Sequence, residues 1–282
     1  MSRTVTQALR LATQRLAQTS DTARLDAELL MAHALGVTRS AMLLGRGQEA
    51  EPAGFAALID RRAAHEPVAY IIGAQEFFGL DFTVTPDVLI PRGDSEVLVE
   101  AALAARPDAR RVLDLGTGSG ALLLSVLHHL PLASGIGFER SAGARAVAQG
   151  NAGQLGLSAR ATIAVGDWTK PGWAEGLGHF DLILANPPYV ECDAPLAASV
   201  RDHEPASALF AGPEGLDDYA ILLPALPGLL APGGVALVEI GHQQADPVTA
   251  MAQAAGLRVT LHRDLAARPR VLQMQISPKE GG

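Results

Sequence analysis

The chain has 282 residues, is 48% hydrophobic, and carries a net charge of −8 from 22 basic and 30 acidic side chains. That length holds one large domain or two smaller ones, and no run of about 18 apolar residues suggests a membrane span. The acidic balance argues against a partner of nucleic acid, which is normally held on a basic face.

The start, Met1-Ser2-Arg3-Thr4, lacks the apolar stretch of a signal peptide. Residues 4–19 and 22–35 read as amphipathic helices; in the second, Leu25, Leu29, Ala32 and Leu35 recur at helical spacing before a stop at Gly36. Pro52 opens a further helix to about Glu66, and Pro67 ends it. Residues 1–74 thus form an all-helical domain without an obvious catalytic cluster. Gly79, between two short β-like runs in 76–84, signals a hairpin, and 75–90 is expected to link two domains.

From 91 to 282 helix and strand alternate. Helices are expected at 94–106, 120–130, 141–154 and 217–230, and strands at 111–115, 134–138, 161–165, 180–185 and 234–240. Two further strands, 258–264 and 270–276, precede a frayed tail, Pro278-Lys279-Glu280-Gly281-Gly282. This alternation predicts an α/β fold with a mostly parallel, doubly wound sheet.

Four strand ends carry chemistry. The first, Asp114-Leu115-Gly116-Thr117-Gly118-Ser119-Gly120, is a glycine loop leading into a helix. Alone it is ambiguous: Gly116, Gly118 and Ala121 also fit a dinucleotide fingerprint, and a plain tight turn is a further reading. Glu139 ends the next strand and suits two ribose hydroxyls, which NAD sites also require of an acid there. Asp167-Trp168 offers an acid and an indole for an adenine's amino group and face.

At the fourth end, Asn186-Pro187-Pro188-Tyr189 stops a buried strand, because neither proline donates an N–H. An Asn side chain and a carbonyl give two acceptors for an –NH2 group, beside an aromatic ring. Glu239, at the end of the fifth strand, is open to either a pocket role or a satisfied strand end. Cys192, the single cysteine, excludes an internal disulfide framework and fits a reducing cytoplasm. His128-His129 read as a solvated helix end, and no cluster at ligand spacing points to a metal.

The order glycine loop, ribose acid, adenine clamp and amide motif resembles the class I S-adenosylmethionine-dependent methyltransferases, with a Rossmann-like domain. Several groups share the last motif, including DNA and RNA N-methyltransferases. The flanking segments are narrower. Glu66-Pro67-Val68-Ala69-Tyr70-Ile71-Ile72-Gly73, Phe77-Phe78-Gly79-Leu80, Leu89-Ile90-Pro91-Arg92 and Glu96 resemble the HemK/PrmC family. So do Glu204-Pro205, Ala208-Leu209, Gly212, Gly215-Leu216, Tyr219 and the run Asp264-Leu265-Ala266-Ala267-Arg268-Pro269-Arg270-Val271.

That resemblance covers nearly the whole chain from about residue 20. It implies methyl transfer from S-adenosyl-L-methionine to N5 of the glutamine in the Gly-Gly-Gln motif of peptide chain release factors. S-adenosyl-L-homocysteine is the by-product, and the helical domain helps bind the release factor. It implies a cytoplasmic monomer without a metal. Cofactor contacts are expected from Gly116, Thr117, Gly118, Ser119, Gly120, Glu139, Asp167, Trp168 and Asn186. Asn186, Pro187, Pro188 and Tyr189 are expected to bind the substrate, with Asn186, Pro187 and Tyr189 catalytic. The alternative is a nucleic-acid N-methyltransferase acting on adenine-N6, cytosine-N4 or guanine-N2; a non-catalytic module on the same fold is a third reading. The chain departs from the family pattern at Gly93, where proline is usual, at Glu139, usually Asp, and at His203, where an aromatic is common.

Overall fold

The computed structural model describes residues 3–277, so the tail expected at 278–282 lies outside the described residues. The chain divides into two compact units. One runs to Ala74 and also takes in Leu196–His203; the other covers Gln75–Pro195 and resumes at Glu204.

The smaller unit is helical: α1 (Val5–Leu16), α2 (Ala23–Leu35), α3 (Arg39–Gly45), α4 (Phe55–Ala63) and α5 (Val68–Ile72). Thr4 and Gln7 form a reciprocal capping box at the start of α1, which sets that end. Gly36 ends α2 in the left-handed region at φ +65°, as its position after the apolar repeat predicts. Val5, Leu16, Leu30, Met31, Met42, Phe55 and Ile59 fill the core. Two buried acids sit beside it. Asp26 pairs with Arg62 at 2.7 Å and accepts from the hydroxyls of Ser20 (2.7 Å) and Thr22 (2.8 Å). Glu28 pairs with Arg24 at 2.8 Å and Arg39 at 2.6 Å. The short helices α3 and α5 were not expected; Pro67 closes one helical stretch and also caps the next.

The larger unit opens on the hairpin of β1 (Ala74–Phe77) and β2 (Leu80–Thr83). Phe78 and Gly79 both have positive φ (52° and 74°) at its two-residue turn, the geometry that matches strand twist. A 3₁₀ turn, Gly93–Ser95, then leads into α6 (Glu96–Ala105). Next come β3 (Arg111–Leu115), α7 (Ala121–His129), β4 (Ser134–Glu139), α8 (Ala142–Gln154), β5 (Ala161–Val165) and β6 (Phe180–Ala185). The short α9 (Ala198–Arg201) lies in the segment that belongs to the helical unit. The chain finishes with α10 (Asp217–Leu229), β7 (Leu230–Glu239), α11 (Ala245–Ala254), β8 (Leu257–Arg263) and β9 (Pro269–Ile276).

The sheet order is β5-β4-β3-β6-β7-β9-β8, parallel from β5 to β7 with β9 antiparallel to both its neighbours. Alternate residues of each central strand serve opposite faces. Val112, Leu182 and Leu184 pack with Leu98, Val99, Leu123 and Leu127 of α6 and α7. Leu113, Leu115 and Ile183 pack with Tyr219, Leu222, Leu226 and Val248 of α10 and α11. The mostly parallel, doubly wound sheet predicted from the alternation is therefore present, with α11 as an unforeseen extra layer helix. From β3 the chain winds outward to β4 and β5, then returns to place β6 on the other side. The switch in direction falls between β3 and β6, where open α/β sheets hold ligands at their carboxyl ends.

No helix among the described residues is long and apolar enough to cross a membrane.

Candidate active site

A cleft opens at those carboxyl ends. Its walls include Gly116, Thr117, Gly118, Ser119, Glu139, Asp167, Trp168, Asn186 and Pro188. Four strand ends predicted separately thus converge on one space. Gly120, Pro187 and Tyr189 do not line it.

The loop after β3 is shaped by its glycines. Gly116 has φ +76°, and a Cβ there would stand 2.8 Å from the Trp168 ring. No other residue meets both constraints. Gly116 N–H donates to the Phe138 carbonyl at 2.8 Å, tying the loop to β4. Gly120, at φ +85°, caps α7, and its N–H donates to the Thr117 carbonyl at 2.7 Å. Thr117 donates its hydroxyl to Asp114 Oδ2 at 2.6 Å. Burial pushes the Asp114 carboxyl up to about 7 against that bond.

Glu139 is half-buried and accepts the Gly118 N–H at 3.1 Å and the Ser141 N–H at 2.8 Å, one on each oxygen. The longer side chain at this position thereby also braces the glycine loop. Asp167 accepts the Thr169 N–H (3.0 Å) and hydroxyl (2.7 Å), both on Oδ1. Those bonds hold its carboxyl below the usual range, so it stays an anion with Oδ2 to spare. Trp168 donates its indole N–H to Asp218 at 2.5 Å, so its ring is fixed and the cleft meets ring carbons. Trp168 belongs at once to the core cluster and to the cleft wall.

Asn186 follows β6, and its Nδ2 lies 3.5 Å from the Ser95 hydroxyl. The amide nitrogen is thus directed at Ser95, and both residues line the cleft. Tyr189 turns its hydroxyl to Glu239 Oε1 at 3.4 Å, and its carbonyl accepts from Gln244 at 3.0 Å. Burial, with the Glu239 charge, raises the Tyr189 phenol well above its ordinary range, so it remains protonated. Pro187 and Pro188 are buried.

The sequence left Glu239 open between two roles, and did not single out Ser95 or Arg92 as site residues. Ser95 and Arg92 line the cleft, while Glu239 lies behind it. Arg92 is clasped by Glu204, whose other oxygen accepts the Ile90 N–H at 3.3 Å. The quoted segments Leu89–Arg92 and Glu204-Pro205 therefore meet as neighbouring walls. Of the departures, Gly93 simply opens the 3₁₀ turn, and a Cβ there would meet nothing. His203 places its Nε2 3.4 Å from the Ala64 carbonyl. His129 stacks edge-on against Phe78 at 5.1 Å, consistent with a surface helix end. No group of three metal-ligating side chains occurs among the described residues.

A glycine loop, an acid and an indole ring at successive strand ends line one cleft, and the fold is that of the methyltransferase class. Residues 93–200 match the family described as "Methyltransferase small domain", and residues 7–73 match "PrmC N-terminal domain". A release factor glutamine methyltransferase from Moorella thermoacetica is 46% identical, covering 90% of this chain and 91% of the relative. The protein of the same name from Cereibacter sphaeroides is 42% identical, over 95% of this chain and 97% of the relative. A solved O-methyltransferase family protein from Burkholderia thailandensis shares the fold at 16% identity, with a TM-score of 0.53 over 94% of this chain and 98% of that one. The chain belongs to the release factor glutamine methyltransferase family.

Proposed function

We propose that this enzyme transfers a methyl group from S-adenosyl-L-methionine to the side-chain amide N5 of the glutamine in the Gly-Gly-Gln motif of peptide chain release factors. The observation that carries it is Asn186: an amide side chain at a strand end, in the same cleft as the glycine loop. The names of the relatives supply the substrate.

The residues fit the cofactor. Gly116 and Gly118 keep the cleft floor free of side chains. Glu139 would hold the ribose, Asp167 the adenine amino group, and Trp168 the adenine face, with the loop 116–120 around the methionine part. When bound, S-adenosyl-L-methionine supplies an electrophilic sulfonium methyl and leaves as S-adenosyl-L-homocysteine.

A primary amide nitrogen is a weak nucleophile, because its lone pair is delocalised into the carbonyl. Positioning it in line can therefore remove several kcal/mol of barrier. Asn186 Oδ1 and the Pro187 carbonyl accept its two hydrogens. Both acceptors gain strength as the nitrogen becomes positive, which is preorganised electrostatic stabilisation. Pro188 walls the cleft and Tyr189 backs the amide site. One N–H proton leaves to solvent after the N–C bond forms, so no strong base is needed beforehand.

Residues 1–74 act as the domain that recognises the release factor, with 75–90 as linker and 91–282 as the catalytic domain. The enzyme works in the cytoplasm as a monomer, without a metal and without direct nucleic-acid binding. The test is radiolabelled methyl transfer to purified release factor, its Gln→Ala variant, DNA and RNA. Label confined to the wild-type release factor is expected; label on nucleic acid alone would overturn the reading in favour of the nucleobase alternative.

A further inference from the structure

The turn that carries Asn186 is anchored at both ends. At the near end Ala185 sits in register with Leu115 of β3 and Val238 of β7. Pro187 and Pro188 then fix two successive φ angles at about −65°. At the far end the Tyr189 carbonyl accepts from Gln244 Nε2 at 3.0 Å. The same nitrogen donates to the Gly215 carbonyl at 3.1 Å, with the Glu214 carbonyl further off at 3.4 Å. Gln244 Oε1 accepts the Gly241 N–H at 3.0 Å. A side-chain amide has two donor hydrogens and an acceptor oxygen. Here all of them meet backbone groups, drawn from the turn after β6, the approach to α10 and the turn after β7.

The surroundings leave room for this amide. Gly215 has φ +67°, and a Cβ there would stand 2.2 Å from the Tyr189 carbonyl oxygen and 2.8 Å from Gln244 Nε2. A Cβ at Gly241 would stand 2.8 Å from Gln244 Oε1. Gln244 is the residue before α11, yet its side chain makes no capping bond to that helix. Its polar atoms turn back to the strand ends instead. Gly215, quoted above among the family-like segments, thereby gains a reason: it lets the Tyr189 carbonyl and the Gln244 amide meet.

We propose that Gln244 is a positioning residue for methyl transfer: it pins the Tyr189 carbonyl and so holds the turn 186–189, with the Asn186 amide and the Pro187 carbonyl, in the geometry the substrate amide requires. This rests on the functional reading above. With Ala185 held by the sheet and φ fixed at two residues, a bond at Tyr189 removes much of the freedom left in the turn. Val190 continues the hold, its N–H donating to the Leu209 carbonyl at 2.8 Å. Alignment for attack tolerates little error: a displacement of about 1 Å can cost about 100-fold in rate. The Gln244 bond lies outside the strand pairing and the glycine loop, so its loss costs alignment rather than cofactor contacts.

The test compares wild type, Gln244→Glu, Gln244→Met and Gly215→Ala by methyl transfer to release factor, with kcat expressed per S-adenosyl-L-homocysteine site counted by calorimetry. Glutamate keeps the shape of the side chain but turns an oxygen to the two carbonyls; methionine keeps its length without hydrogen bonds. Gly215→Ala reaches the same bond from the other side. Each should lower kcat per site about 10- to 100-fold, with KM for release factor and product affinity within about twofold of wild type. The Gln244→Glu, Gly215→Ala double variant should lose little more than the worse single one, because both break one bond. A merely structural role would lower the number of binding sites and leave kcat per site unchanged. The proposal is overturned if either Gln244→Glu or Gln244→Met keeps the wild-type kcat per site, or if kcat and product affinity fall together. A wild-type enzyme that leaves release factor unlabelled overturns the functional reading instead.

Discussion

The helical unit and the strand-end site treat buried acids in opposite ways. Asp26 and Glu28 are enclosed in α2, and each meets arginine and satisfied hydrogen bonds. Burial acts to raise the Glu28 carboxyl, but hydrogen bonds from Arg24 and Arg39 outweigh it and hold the acid low. Asp114 and Glu239 lie at strand ends, each with one oxygen lacking a partner, and both are pushed up to about 7. Ser125 Oγ and Arg270 Nε complete the unpartnered buried atoms among the described residues, and all four lie in the larger unit. Polar groups in the first region hold helices together. In the second they stay under-satisfied, as is typical where a protein keeps polarity for chemistry.

The sharpest way to break this contrast is at its catalytic end. Asn186→Ala removes one acceptor and should lower kcat about 100- to 1,000-fold, the usual loss for one preorganised contact. Cofactor affinity should stay near that of wild type, read by calorimetry; a variant methylating at the wild-type rate would remove Asn186 from its role. At the structural end, Arg62→Ala strands a buried carboxylate and should destabilise the helical unit by about 3 kcal/mol. Denaturant unfolding measures this, and an unshifted midpoint would contradict the pairing.

Between these lies pH. An acid whose folded pKa is raised favours folding when protonated, so its contribution is full at low pH and fades as pH rises through about 7. An acid whose pKa is lowered contributes above its unfolded value of 4.5 and loses that contribution as pH falls below it. Hydrogen exchange from pH 8 to 5.5 should therefore show strands β3 and β7 gaining protection while α2 gains none. Parallel behaviour of the two would erase the distinction. The smallest effect is expected at Gly93, where nothing blocks a side chain and Arg92 already holds an extended conformation, φ −104° and ψ 141°. Gly93→Pro should raise stability by about 0.5 kcal/mol by restricting the unfolded chain, visible as a small rise in Tm.

The catalytic unit's sheet was legible because its signals are local. An apolar run that ends in glycines or prolines names both a strand and the edge where it stops, as at 111–120 and 180–189. Strands β3, β5 and β6 accordingly fall on the residues expected. β7 starts at Leu230 rather than 234, because its first residues pair with Phe180 across a register shift that no local pattern records. The helices α3, α5 and α11 lack a long apolar repeat and were missed; Thr38, whose hydroxyl caps α3, and Gly256, after α11, were the available hints.

The reach of Leu196–His203 into the helical unit is a long-range pairing, invisible to periodicity. So is the meeting of Ser95 with Asn186, 91 residues apart. Glycine, proline and asparagine advertise themselves through backbone geometry. A serine and a glutamate behind them take their meaning only from what the fold sets beside them.

The fixed indole of Trp168 has a practical consequence. The chain holds two tryptophans, Trp168 and Trp173, and the second sits 5.7 Å from Phe138, packed beside the same core. In a Trp173→Phe protein the remaining emitter would be the ring that walls the cleft and touches the glycine loop. Occupancy of that cleft would then be written into the protein's own fluorescence, without a label and before any methyl group moves.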